Sequence, residues 1–140
     1  CEGEIERVES HTRRVGVSDI NFISATLYFD NGSVGYLINS WSSGRRIFAV
    51  EMHAPGICAE AEHEGKGRLY VDGDTVGVEY DTADVAGSSE FYAYTGVKAL
   101  CQQFIDCCRN GSEADCSFSD AVKTMEIAEV ILAQSLLAGR

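Results

Sequence analysis

A chain of 140 residues with 45% hydrophobic and 24% charged residues has the size and make-up of one globular domain, large enough to bury roughly two-thirds of its unfolded surface. Its net charge of −11, from 22 acidic and 11 basic residues, argues against a phosphate-backbone partner and an anionic membrane surface, since both are held by clustered Lys and Arg. No stretch reaches the ~18 consecutive apolar residues of a membrane span and no charged-then-apolar leader opens the chain, so a soluble, cytoplasmic protein without nucleic-acid or membrane partners is expected.

The start, Cys1-Glu2-Gly3-Glu4, lacks an initiator Met and runs almost at once into a strand-like pattern, as expected of a piece cut from a longer chain. Ile5 to Val15 reads as a charged strand, at an edge or with one wet face. Ile20 to Phe29 is a second strand, and Asn31-Gly32 is the strongest short hairpin signal. Ser33 to Trp41 returns as its partner. Ser42-Ser43-Gly44 marks a turn, Arg46 to His53 the next strand, and Ala54-Pro55-Gly56 its end. Along Ile57 to His63, Ile57, Ala59 and Ala61 alternate with Cys58, Glu60 and Glu62. Arg68 to Val71 and Val76 to Tyr80 flank the turn Asp72-Gly73-Asp74.

Beyond residue 80 the period changes. Asp81 to Ser89 reads as a polar loop. Phe91 to Arg109 reads as one helix, with Tyr94, Val97, Leu100, Cys101, Phe104 and Cys108 spaced three and four apart and Asn110-Gly111 as its C-cap. Ser119 is the expected N-cap of a second helix over Ala121 to Leu137. Val122, Met125, Ala128, Leu132 and Leu136 form its apolar stripe, Glu126 and Glu129 its wet side, and Gly139 its end. Strands first and helices after predict an α+β fold: a large, mainly antiparallel sheet with helices on one face and the other face open for self-association. Tyr36, Trp41, Phe48 and Met52 are the candidate interface residues.

Chemistry-bearing motifs are few. Gly65-Lys66-Gly67 lacks the third glycine of a dinucleotide fingerprint, and no P-loop, G-x-S-x-G elbow or H-E-x-x-H is present. Of the six cysteines, none forms a C-x-x-C pair, so small buried thiols in a reducing compartment are expected and no metal site. His11 reads as solvated. His63, beside Glu60, Glu62 and Glu64, reads as a solvated strand end before a metal site. His53 closes its strand within reach of a pocket. Arg45 and Arg46, after a Ser-Ser-Gly turn, suit capture of a carboxylate, phosphate or sugar hydroxyl; a charged strand end that keeps a hairpin soluble reads equally well.

Several segments in order carry a resemblance: Phe29-Asp30-Asn31-Gly32-Ser33-Val34-Gly35; Trp41 with the Arg45-Arg46 turn; Gly65-Lys66-Gly67-Arg68-Leu69-Tyr70; Phe104 to Gly111; and Ser119-Asp120-Ala121-Val122-Lys123-Thr124-Met125-Glu126-Ile127-Ala128-Glu129. Together they resemble the C-terminal domain of the glucose-fructose oxidoreductase / inositol dehydrogenase / rhizopine catabolism (Gfo/Idh/MocA) family over nearly the whole chain. The resemblance implies that residues 1–140 are a substrate-binding and oligomerisation domain, with a small-molecule substrate and a homo-oligomer, dimer or tetramer, as partners. It implies an N-terminal Rossmann domain for NAD or NADP outside this chain, together with the family's catalytic Lys and Asp-x-x-x-His motifs. Neither motif occurs here, so no catalytic and no cofactor-binding residue is assigned. The resemblance raises Arg46, in the turn with Gly44 and Arg45, as a substrate contact; Arg45 and, from its place at the strand end, His53 are the other candidate contacts. The expected parent activity is hydride exchange between a nicotinamide and a sugar, polyol or related hydroxy compound. The alternatives are a non-catalytic scaffold and a stand-alone small-ligand-binding α+β domain.

Overall fold

A computed structural model describes residues 3–63 and 65–138, with the backbone alone for residues 135–138. Expectations on Cys1, Glu2, Glu64, Gly139 and the side chains of Leu136 and Leu137 lie outside the described residues. The fold is α+β. Its strands are β1 (Ile5–Arg13), β2 (Phe22–Phe29), β3 (Val34–Ser40), β4 (Ala49–Ala54), β5 (Ile57–Glu62), β6 (Lys66–Val71) and β7 (Val78–Asp81). The helices that follow are α1 (Thr82–Ala86), α2 (Phe91–Tyr94), α3 (Val97–Asn110) and α4 (Phe118–Ala138). The strands pair in two antiparallel sheets, β1-β2-β3 and β4-β5-β6-β7. The meander breaks between β3 and β4 because β4 begins at Ala49 and not at Arg46, leaving the Ser42-Ser43-Gly44 segment without a ladder. The chain correspondingly divides into two compact units, residues 1–44 with 116–140, and residues 45–115.

In the first unit, pairing of Val8 with Leu27 and Ser10 with Ala25, and of Ala25 with Leu37, defines two faces of the sheet. The inner face carries Val8, Ala25 and Leu27, and α4 lies along it beside β1. Val8, Ala25 and Ile131 are the buried apolar residues described, with Ile5, Ile23, Leu27 and Ile127 packed around them. The opposite face is charged on β1, where the Arg7 guanidinium stacks on the Tyr28 ring and pairs with Glu9. This is the wet face expected of the first strand. On β3 the same face carries Tyr36 and Ile38, which are 79% and 75% exposed.

The helix α4 turns a different stripe to the sheet from the one its sequence suggests. Ile127, Ile131 and Gln134 face β1, whereas Val122, Met125 and Leu132 are exposed. Apolar residues ring most of α4, so its periodicity does not single out one face. The Ser117 hydroxyl, two residues before the expected cap Ser119, accepts from the Asp120 amide and closes the first turn.

In the second unit, β4 through β7 follow one another as antiparallel neighbours, with the two-residue Pro55-Gly56 turn joining β4 and β5. Two segments differ from the sequence reading. The expected loop at Asp81 forms α1, because the Asp81 carboxylate accepts from the Ala83 and Asp84 amides and caps a short helix. The expected single helix from Phe91 breaks into α2 and α3 at Gly96, whose φ of 85° lies in the left-handed region that interrupts an α-helix. Along α3, Val97, Leu100, Phe104 and Ile105 stay exposed, and so do Cys101 and Cys108. The cysteines are therefore not the buried thiols expected: Cys58 and Cys107 are half-buried and Cys116 is exposed.

Candidate functional site

Strand pairing sorts the residues of the second sheet by chemistry. Val50 pairs with Ala61, Met52 with Ala59, Ile57 with Val71, Ala59 with Leu69, and Leu69 with Val78, which makes one face apolar. The other face carries Glu51, His53, Cys58, Glu60, Lys66, Arg68 and Glu79. Strict alternation along each strand produces this two-sidedness.

The charged face holds two groupings. At the β6–β7 end, the Glu79 carboxylate accepts from Lys66 Nζ at 2.5 Å and from Arg68 Nη2 at 2.8 Å. These two donors hold the Glu79 carboxyl below its ordinary range, Lys66 contributing most, and Glu79 in turn raises Lys66. At the β4–β5 hairpin, His53 Nε2 lies 2.7 Å from Glu51 Oε1. Cys58 stands directly across the ladder from His53. Partial burial, reinforced by Glu60 and Glu51, raises the Cys58 thiol above its ordinary range.

Of the candidate substrate contacts, Arg45 and Arg46 lie in the exposed irregular segment ahead of β4. His53 lies in β4, gathered with Glu51 and Cys58. Sequence reasoning passed over those two neighbours. The signal was present: a two-residue Pro55-Gly56 loop forces Ala54 opposite Ile57 and His53 opposite Cys58. The candidate interface residues occupy separate settings. Tyr36 is on the β3 face turned away from α4, and Trp41 follows β3 at 74% exposure with the opposite parity. Phe48 packs edge-on against His63, with ring centroids 4.9 Å apart. Met52 is on the apolar face of the second sheet.

Nicotinamide dinucleotides are held by free amides at a glycine-rich strand-to-helix turn. Among the described residues, β7 to α1 is the strand that feeds directly into a helix, and there the Asp81 carboxylate already occupies the Ala83 and Asp84 amides. An acidic cap repels a pyrophosphate, so this junction does not fit the cofactor.

No family model matches the sequence, and no curated protein matches it significantly. Solved structures do. The chain is similar to a dehydrogenase (MviM) from Clostridium difficile, with a TM-score of 0.75 and 15% identity, over 94% of this chain and 42% of that one. It is similar to an aldose-aldose oxidoreductase from Caulobacter crescentus complexed with glycerol, with a TM-score of 0.75 and 14% identity, over 99% and 41%. It is also similar to an oxidoreductase from Agrobacterium radiobacter in complex with NAD+, L-tartaric acid and magnesium, with a TM-score of 0.72 and 19% identity, over 98% and 42%. The likeness shows the fold, an α+β domain shared with a dehydrogenase and two oxidoreductases, and that fold is the one the sequence resemblance implied. The chain spans about two-fifths of the length of each.

Proposed function

We propose that this chain is the substrate-binding and oligomerisation domain of an NAD- or NADP-dependent oxidoreductase acting on a sugar, polyol or related hydroxy compound. The observation that carries the reading is the fold likeness, which extends over at least 94% of the chain in each of three oxidoreductases. One of those proteins is complexed with NAD+ and another with glycerol, a small polyol. The unfavourable charge at the β7–α1 junction agrees with a division of labour in which the dinucleotide is held by a different part of the enzyme. In this reading Arg46 binds substrate oxygens, with Arg45 next to it in the chain and His53, at the hairpin end of β4, as a separate candidate contact; a guanidinium offers paired donors that match vicinal hydroxyls or a carboxylate. Catalytic residues belong to the other domain.

The test is an assay of the longer protein that contains this chain. Reduction of NAD+ or NADP+ by polyols and aldoses is followed through the absorbance of the reduced nicotinamide. Turnover with at least one such substrate is expected, and Arg46→Ala should raise KM with little change in dinucleotide affinity. A protein that binds no dinucleotide and oxidises none of these compounds overturns the reading.

A further inference from the structure

The β4–β5 hairpin carries a second kind of chemistry. Gly56, at a φ of 73°, closes the Pro55-Gly56 loop in the left-handed region. The loop fixes the register in which His53 faces Cys58, and Glu51, two residues before His53, shares their face. A carboxylate oxygen of Glu51, an imidazole nitrogen of His53 and the Cys58 sulfur all lie within 4.8 Å of one another. We propose that Glu51, His53 and Cys58 form a binding site for a divalent transition-metal ion, with Zn2+ the best match.

The donor set selects the metal. One thiolate, one imidazole and one carboxylate suit a borderline-soft ion and disfavour Mg2+ and Ca2+, which take oxygen ligands almost throughout. Zinc bonds of about 2.0–2.3 Å in a tetrahedron place ligand atoms roughly 3.3–3.7 Å apart. Reaching that spacing from the observed arrangement requires side-chain rotation, and the paired backbone stays in place. The ion would enter between Glu51 Oε1 and His53 Nε2, now 2.7 Å apart and joined by a hydrogen bond. Glu60, paired with Glu51 across the ladder, adds negative charge on the same face. Three protein ligands leave a fourth position for water or a small anion, the pattern of open zinc sites. Binding requires the thiolate, so the Cys58 proton is released to solvent as the metal–sulfur bond forms. The ligands come from one hairpin and need no second domain, so metal binding by this chain is tested apart from the oxidoreductase reading, with His53 the one residue common to both.

The experiment is a titration of the reduced full chain with Co2+ and then Zn2+. A thiolate-to-cobalt charge-transfer band is expected with one ion per chain, abolished by excess Zn2+. Cys58→Ser should remove the band, and His53→Ala should weaken binding by at least about tenfold, the loss already typical of outer-shell partners. The chain contains five other cysteines, so a second variant replaces those five with Ser and should keep the band. Zn2+ should raise the Tm of the native chain and leave that of folded Cys58→Ser unchanged. Absence of a band in the native chain, or an unchanged band in Cys58→Ser, overturns the site.

Discussion

The side-chain amide of Gln134 pairs with the backbone around Ser10 as a neighbouring strand would. Gln134 Oε1 accepts from the Ser10 amide at 2.8 Å, and Gln134 Nε2 donates to the Val8 carbonyl at 2.7 Å. Both backbone groups belong to β1, an edge strand whose outward amides and carbonyls would otherwise offer a template for another chain. One helix residue thus satisfies the edge and fixes α4 along it, and the Ser10 hydroxyl adds a contact to the Ile131 carbonyl at 2.8 Å.

Gln134→Ala should therefore destabilise the protein by about 1–3 kcal/mol, the cost of leaving part-buried polar groups without partners. Gln134→Glu should cost at least as much, because a carboxylate oxygen would then face the Val8 carbonyl. Urea unfolding checks this: the midpoint should fall with the slope unchanged.

Gly56→Ala should perturb the β4–β5 hairpin from two directions. Its φ of 73° disfavours any L side chain, by roughly 1–2 kcal/mol. An added Cβ would also meet the Asp72 carboxylate at 2.8 Å. Loss of stability by that amount, with weakened cobalt binding at the His53–Cys58 pair, is the expected outcome. Double-mutant analysis with Asp72→Ala should recover part of the loss, since only the steric share is relieved.

Glu79 gives a pH dependence of defined sign. Its carboxyl is held below the ordinary carboxylate range by Lys66 and Arg68. A depressed folded value stabilises the native state above the unfolded pKa, and that contribution disappears as pH falls through the folded value. Glu79→Gln should therefore be less stable than the native chain at neutral pH, with the difference shrinking under acid. All three side chains are substantially exposed, so the effect should weaken further as salt is added. Urea midpoints measured near neutrality and well below the carboxylate range would reveal the convergence.

Assembly is the remaining expectation. Val50, Met52, Ile57 and Val78 are each about half-exposed on one apolar face, and Tyr36 and Ile38 are more exposed still on the first sheet. A biological contact of more than ~1,000 Å² in total would cover such surface. Sedimentation equilibrium at micromolar concentration should show at least a dimer. Trp41→Glu and Met52→Glu separately test the two units, and at least one should give a folded monomer; a native chain that sediments as a monomer sinks the assembly reading.

Much of this molecule is written locally. Asn31-Gly32, Pro55-Gly56 and Asp72-Gly73 each specify a turn by their own backbone preferences, and two-residue alternation then assigns every β4 and β5 side chain to a face. Those rules act within a few residues, so the α+β class was legible, and the opposition of His53 and Cys58 was legible too, although it was read only once the ladder was in view. Tertiary structure decided what local rules leave degenerate. The chain of α4 is apolar on several sides, and only contact with β1 selects Ile127, Ile131 and Gln134 as the inner ones. The division of the strands into two sheets was likewise not legible: each sheet is a run of consecutive strands joined by local connections, and the break falls in the irregular segment between β3 and β4, where no ladder continues. The break at Gly96 was settled the same way: glycine is tolerated in a helix at a cost of about 1 kcal/mol, and only the folded backbone determines whether it continues the helix or, at a φ of 85°, ends it.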